Sequence, residues 1–550
     1  MEKDRLPMVA YFCMEFGLAP EFKIYSGGLG VLAGDYLKAA KDLQKPVIGI
    51  GLLWKQDYTQ QYIDDQGYPY DTFPTFHYDF LEDTGVRIGI NIYGRDVLCK
   101  VLKTEKFDNA PLYLLDADVD DNRGWQITDQ LYGGFSEKRI PQEMVLGIGG
   151  IRAIRALGID IDIYHFNEGH AIFAGIELIR EKMHQEHMSF DEAWAAVRKN
   201  IVFTTHTPVR EGNEFHDHPL LERAGAYNGL PFEKMAALGD VPFNMTVAGL
   251  RLSKIANAVS ELHGETTRNM WKDTWCGAPI ISITNGVHNG TWANEKIIEA
   301  FNNNGDILSV HNELKRKLID YVARKTKVIL KEDVLLIGFA RRATSYKRAN
   351  LIFRDEGRIL PLLEEGKVQF IFSGKAHPLD YHGKNIISRL VYMANKFPDR
   401  IVFLENYDMA ISKMMTTGCD LWLNCPRRPN EASGTSGMKA AMNGVLNFST
   451  LDGWWAEACQ HSVNGWQFGD GYTSHNVEDQ DRHDSDAMYR VLTEEIIPTY
   501  YDNKEKWHQM MKSSIDTTYH RFSASRMLED YYNKMYLVQS DTGSCEGNGE

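Results

Sequence analysis

Short apolar, β-branched runs recur along the chain at 46–53, 161–165, 200–205, 279–284, 333–339, 368–373, 400–405 and 420–424. Each ends in a cluster of glycine, asparagine, histidine or charged residues, and a stretch with helical period follows. Near-continuous apolar strands alternating with helices are the mark of parallel sheets covered on both faces, so the expected class is α/β. In open α/β sheets a ligand sits beyond the carboxyl ends of the strands. The polar clusters fall at those ends, so one pattern points to both fold and site.

Residues 302–331 are charged, helical in pattern and without a strand, which marks a change of domain. The expected organisation is one α/β domain over 1–305, a helical linker over 306–332, a second α/β domain over 333–485, and helices over 486–538 that pack back on the first domain. Residues 539–550 are small and polar and read as a disordered tail. Two α/β domains facing each other would leave a cleft, a common place for a ligand.

Composition narrows the function. A chain of 550 residues is too long for one ordinary core, with 43% apolar and 25% charged residues. A net charge of −15 argues against a nucleic-acid surface, so a basic cluster must serve a small anion. The longest apolar run, around 46–54, is far short of a membrane span, and Met1-Glu2-Lys3-Asp4-Arg5 opens no signal-peptide core. Seven scattered cysteines suggest free thiols and a reducing cytoplasm.

The densest candidate chemistry is Glu431-Ala432-Ser433-Gly434-Thr435-Ser436-Gly437-Met438-Lys439. It reads as a small-residue turn between a strand and a helix, with backbone N–H groups able to bind an anion. A lysine one turn inside that helix can condense with an aldehyde. Arg341-Arg342-Ala343-Thr344-Ser345-Tyr346-Lys347-Arg348 puts four cations at a strand's carboxyl end, either a phosphate clamp or a salt-bridged helix start. Ser26-Gly27-Gly28-Leu29-Gly30 is a phosphate-approach loop or a plain turn; no clear strand precedes it. His165-Phe166-Asn167-Glu168-Gly169-His170 could ligate a metal, but a hydrogen-bonded wall suits a strand end better, and no metal site is expected. Glu214-Phe215-His216-Asp217-His218 and His184-Gln185-Glu186-His187 read as solvated loop or helix faces. Thr204-Thr205-His206-Thr207-Pro208 faces a sugar or forms a turn. Asp452-Gly453-Trp454-Trp455-Ala456-Glu457 suits carbohydrate stacking or a core.

Together these motifs resemble the α-glucan phosphorylases, the family of glycogen, starch and maltodextrin phosphorylases. The resemblance is carried in order by Ser26 to Gly30, Asn167-Glu168-Gly169-His170, Thr205-His206-Thr207, Thr284-Asn285-Gly286-Val287, Arg342 with Tyr346-Lys347-Arg348, Gly374-Lys375-Ala376, Phe403-Leu404-Glu405-Asn406-Tyr407 and Glu431 to Lys439. It runs from about Met8 to Glu457, and the wording is closest to the bacterial and archaeal branch.

The resemblance implies a GT-B architecture, two Rossmann-like domains facing across a deep cleft, the first for the glucan and the second for cofactor and phosphate. It implies pyridoxal 5′-phosphate and reversible phosphorolysis of an α-1,4-glucan or maltooligosaccharide end by inorganic phosphate, giving glucose 1-phosphate with retention. By matching position Lys439 would carry the cofactor. Arg342 and Lys347 would hold the substrate phosphate. Arg341, Thr435, the backbone at Ser436 and the Gly28 loop would hold the cofactor phosphate. His206, Glu431, Ser433, Gly434 and Tyr346 would contact the terminal glucose, and His170 would line the cleft. Lys439, Arg342, Lys347 and His206 are thus the expected catalytic set, and Gly28 would also border the substrate. Two adjacent phosphates repel, so one keeps a proton near neutral pH and can pass it toward the leaving oxygen. The resemblance also implies a cytoplasmic enzyme and a homodimer.

Two stretches depart from the family pattern: Ala343-Thr344-Ser345, and Val209-Arg210-Glu211-Gly212-Asn213-Glu214 after Pro208. Both lie near the expected sugar site and bear on acceptor preference more than on the reaction. A nucleotide-sugar glucosyltransferase of the glycogen-synthase type would share the fold but has no need of Lys439 in Ser-Gly-Met-Lys. A non-catalytic glucan-binding protein would have no use for two phosphate pockets.

Overall fold

The computed structural model describes residues 5–122, 124–134 and 136–538; the expected tail at 539–550 lies outside the described residues. The chain forms two compact units, one from Met1–Tyr58, Pro74–Thr284 and Met527–Glu550, the other from Thr59–Phe73 and Asn285–Arg526.

The first unit is built on a nine-stranded sheet in the order β13-β12-β9-β8-β1-β2-β7-β6-β5. Its parallel strands are β1 (Val9–Phe12), β2 (Val47–Leu52), β7 (Leu112–Asp116), β8 (Ile163–Asn167), β9 (Ile201–Thr204), β12 (Ile255–Ala258) and β13 (Ile280–Ser282). β5 (Glu82–Ile92) and β6 (Arg95–Thr104) add an antiparallel edge. Alternation of exposed and buried residues along β5 reflects its single covered face, whereas β1, β2, β8 and β9 are buried at every position. A short pair, β10 (Phe215–His216) with β11 (Phe243–Asn244), lies outside this sheet.

The second unit holds a six-stranded, wholly parallel sheet in the order β16-β15-β14-β17-β18-β19. Its strands are β14 (Leu335–Ala340), β15 (Val368–Ser373), β16 (Ile401–Leu404), β17 (Leu421–Asn424), β18 (Leu446–Thr450) and β19 (Gly465–Phe468). This is the order of a doubly wound sheet, whose direction of winding reverses between β14 and β17. In the first unit the same reversal falls between β1 and β8. All eight apolar runs marked in the sequence overlap strands.

Two parts of the chain are distributed differently from expectation. β3 (Gln60–Ile63) and β4 (Pro69–Thr72) form a hairpin of the second unit although they lie early in the sequence. The Gln61 amide explains it: Nε2 donates to the Ala376 carbonyl at 3.2 Å, and Oε1 accepts the Ala376 N–H at 2.9 Å. Asp71 pairs with Lys384 at 2.6 Å. The stretch 486–538 does not act as one block. Met488, Tyr489, Trp507, Met511 and Ile515 share a core with Leu335, Phe370 and Leu421 of the second unit. Only the segment from Met527 joins the first unit, where the Tyr536 hydroxyl lies 2.7 Å from both His165 Nδ1 and the Tyr36 hydroxyl.

The helix Ile307–Thr326, expected as a linker, belongs to the second unit. Asp306 caps it by accepting the Ser309 N–H, and its Leu314, Leu318 and Val322 face is buried. It packs so closely on the helix Met409–Gly418 that a Cβ on Gly418 would stand 2.9 Å from Leu318 Cβ. Cys13, Cys99, Cys419, Cys425 and Cys459 are free thiols, but Cys276 is disulfide-bonded, contrary to the expectation of free thiols throughout. Among the described residues no helix is long and apolar enough to cross a membrane.

Candidate active site

In the second unit the candidate residues gather where the sheet reverses. β14 ends at Ala340 and delivers Arg341 to Arg348; β17 ends at Asn424 and its loop leads through Glu431 to the helix Thr435–Ala441. Arg341 Nη2 donates to Glu431 Oε2 at 2.6 Å, and Lys347 Nζ donates to the same oxygen at 2.8 Å. The three side chains are about one-tenth exposed. Burial alone would raise the Glu431 carboxyl, but the two cations outweigh it and hold it down at about 2. Glu431, expected to meet sugar, is therefore the anion between two residues expected to meet phosphates. Arg342 is exposed, and Tyr346 is half-buried with its ring under Lys347 Nζ at 4.7 Å.

Gly434 enters the helix at φ +82°, a left-handed conformation that costs glycine little. Thr435 and Ser436 open the first turn half-buried, and Lys439 follows inside it, 5% exposed. The Lys439 amine sits 3.6 Å from the centre of the Trp292 ring. Asn443 fixes this pair by donating to the Lys439 carbonyl at 2.7 Å and the Trp292 carbonyl at 2.9 Å. Ser433 Oγ is buried and has no hydrogen-bond partner. Trp292 and Asn443 escaped the sequence reading because neither belongs to a charged or glycine-rich run; Trp292 comes from a segment distant in sequence. The Asp452 carboxylate accepts the Glu431 N–H at 3.0 Å. Burial and the neighbouring Glu431 push its carboxyl up to about 8. Trp454 and Trp455, candidates for sugar stacking, are core residues 2% exposed.

In the first unit the candidates also fall at strand ends beside the reversal. The glycine loop follows β1 at a distance in sequence, which hid the strand, and opens the helix Gly28–Asp42. Glu15 holds it, accepting the Ser26 N–H at 2.5 Å and the Gly27 N–H at 3.2 Å, while Tyr132 donates to Glu15 at 2.9 Å. Nothing lies within 4 Å of where a Cβ on Gly28 would stand. At the end of β8, Glu168 adopts φ +72°, strained for a residue with a side chain. Its carboxylate accepts the His206 N–H at 2.7 Å, and burial raises it to about 7. His206 Nε2 lies 2.7 Å from Asn167 Oδ1, while Asn167 Nδ2 donates to Cys13 Sγ. Burial, with His263 and His170 nearby, lowers His206 to about 3, so the ring is neutral with its proton on Nε2. His170 is lowered by burial to about 4 despite Glu214 at 3.8 Å.

The 214–218 run is not the solvated loop expected of it: His216 and His218 are buried. Glu143, Glu214 and His216 bring their ligand-type atoms within 4.8 Å of one another. Arg139 donates to Glu214 at 3.1 Å and supplies the counter-charge, and burial beside Glu214 pushes Glu143 up to about 8.

Comparison with known proteins fits this arrangement. A maltodextrin phosphorylase from Thermococcus litoralis is 39% identical over 587 aligned positions, covering 96% of this chain and 70% of that protein. The chain belongs to the carbohydrate phosphorylase family. The carbohydrate phosphorylase family model matches residues 292–494, the stretch that begins at Trp292 and includes Arg341, Lys347, Glu431 and Lys439. Glycogen phosphorylases from Mycobacterium bovis and Aquifex aeolicus are 37% and 36% identical, each alignment covering 96% of this chain and 70% and 86% of theirs. The family signature thus spans the very stretch in which the structure assembles a buried amine, two paired cations and their carboxylate.

The residues fit pyridoxal 5′-phosphate. The donor set offers one buried amine against an indole face, a hydroxyl-bearing turn at Thr435 and Ser436, and cations at Arg341 and Lys347. The orphaned Ser433 Oγ is further polar provision for a ligand.

Proposed function

We propose that this carbohydrate phosphorylase catalyses reversible, retaining phosphorolysis of α-1,4-glucan non-reducing ends to glucose 1-phosphate. It uses pyridoxal 5′-phosphate held by Lys439, on a GT-B architecture and in the cytoplasm. The observation that carries the proposal is the Lys439 amine buried against Trp292, in the helix whose entry turn bears Glu431 between Arg341 and Lys347. A protein that only bound glucan would have no use for that amine.

When bound, the cofactor supplies a phosphate with an exchangeable proton, and its ring has no evident part in a glycosyl transfer. Arg341, Thr435, the Ser436 backbone and the Gly28 loop would hold that phosphate. Arg342 and Lys347 would bind the substrate phosphate and offset the repulsion between the two anions as charge builds on the leaving and attacking oxygens. Glu431 would accept from a glucose hydroxyl, and Ser433, Gly434 and Tyr346 would border the ring. A neutral His206 is suited to hydrogen bonding with the sugar rather than to delivering a proton. His170 would line the same substrate. A homodimer is the proposed assembly.

The test is phosphorolysis of a maltooligosaccharide series with added cofactor, measuring glucose 1-phosphate. Phosphate-dependent release is expected, together with a cofactor absorbance band that Lys439→Ala removes. Glucosyl transfer from a nucleotide sugar without phosphorolysis, or failure to take up the cofactor, would overturn it.

A further inference from the structure

We infer that Asp452 is a positioning residue that holds the Glu431–Ser433 turn and acts on the reaction only through it. The inference rests on the phosphorolytic role proposed for Glu431. β18 lies next to β17 in the sheet, so its carboxyl end brings residues 451–454 alongside the loop leaving β17. Asp452 is 2% exposed, and both its oxygens bind backbone here: Oδ2 accepts the Glu431 N–H at 3.0 Å and Oδ1 the Gly453 N–H at 2.9 Å. One residue on, the Trp454 N–H donates to the Ser433 carbonyl at 2.8 Å. Gly453, at φ +54°, makes the approach possible, because a Cβ there would stand 2.2 Å from the Ser433 oxygen.

The loop is itself anchored, with Trp454 packed edge-on to Phe522 at 5.0 Å and against Trp455 at 5.2 Å. Glu431 is thus fixed at both ends. Arg341 and Lys347, from the loop after β14, hold its carboxylate; Asp452, from the loop after β18, holds its backbone. Burying a carboxyl beside another carboxyl is costly, and neither oxygen of Asp452 makes an ion pair among the described residues. A serine or asparagine could cap one N–H at lower cost. A carboxyl group offers one oxygen to each N–H at once, and so ties the two loops together.

The test compares Asp452→Ala, Asp452→Asn, Glu431→Gln and the Glu431→Gln/Asp452→Ala pair as full-length holoenzymes. In Asp452→Ala the kcat/KM for glucan should fall roughly 10- to 100-fold, the scale of a displaced contact. The KM for phosphate should not rise, since a displaced Glu431 frees Lys347. In the Glu431→Gln background, Asp452→Ala should add less than about a twofold loss. Asp452→Asn, which keeps one acceptor, should fall between and serves if Asp452→Ala does not fold. Amide hydrogen exchange of residues 430–434 should quicken in the variants while that of β14 stays unchanged. Independent multiplicative losses, a parallel rise in both KM values, or unaltered exchange at 430–434 would each overturn the inference. A wild-type protein without phosphorolysis would instead sink the functional proposal, and the exchange measurement would still decide the clamp.

Discussion

Glu431→Ala probes the centre of the site without reference to turnover. The substitution leaves Arg341 and Lys347 facing each other, about one-tenth exposed, with their shared carboxylate gone. Removing one member of a buried ion pair costs about 3–5 kcal/mol, because an uncompensated charge stays behind. At roughly 2–4 °C per kcal/mol for a domain of a few hundred residues, the unfolding midpoint should drop by roughly 6–20 °C. Inorganic phosphate should then restore what the carboxylate supplied. A ligand at a hundredfold excess over its Kd adds about 2.7 kcal/mol to a protein that binds it only when folded. In the wild type part of that gain is lost to competition with Glu431, so phosphate should raise the variant's midpoint more than the wild type's. Calorimetry of both proteins, with and without phosphate and at constant ionic strength, gives the answer. Equal phosphate shifts, or a variant as stable as the parent, would refute the idea that Lys347 serves carboxylate and substrate phosphate in turn.

Arg342→Ala should lower turnover by roughly two to three powers of ten in the phosphorolysis assay, with the fold retained by circular dichroism. The Glu431 carboxyl, held at about 2, stabilises the fold fully above the ordinary carboxylate range, and this is lost as pH falls through 2; acid titration of Glu431→Gln should lack that component. Glu168 is the opposite case. Raised to about 7, it keeps its proton on folding, so stability should fall between the ordinary carboxylate pKa and pH 7, and Glu168→Gln should flatten that slope in denaturant titrations. Gly453→Ala should cut glucan kcat/KM at least as far as Asp452→Ala, since the new Cβ would meet the Ser433 carbonyl at 2.2 Å.

The eight apolar runs were legible because strands buried on both faces leave continuous hydrophobic stretches in the sequence. The Arg341 and Glu431 loops were legible because cations, glycines and hydroxyls crowd the carboxyl ends of β14 and β17. The meeting of Arg341, Lys347 and Glu431 was not, because three charges at two strand ends carry no signal that they will pair. β1 was missed because its glycine loop does not follow Val9–Phe12 directly but opens the helix Gly28–Asp42 further on. The run at 214–218 misled because histidines and acids look solvated in isolation; partners at Glu143 and Arg139, some seventy residues earlier, are what bury them. Trp292 and Asn443 flank Lys439 through contacts that no local pattern announces.

The threading of the chain has a consequence for how the molecule is made. Its path passes from one unit to the other at about residues 58, 73, 284 and 526. During synthesis the hairpin at Gln60–Thr72 emerges some three hundred residues ahead of Ala376 and Lys384, on which it docks. The sheet around His165 likewise waits for Tyr536. Neither unit is encoded by one continuous stretch of message. Nascent chains stalled short of residue 527 should therefore hold two incomplete bodies, exposing surface that the later segment covers.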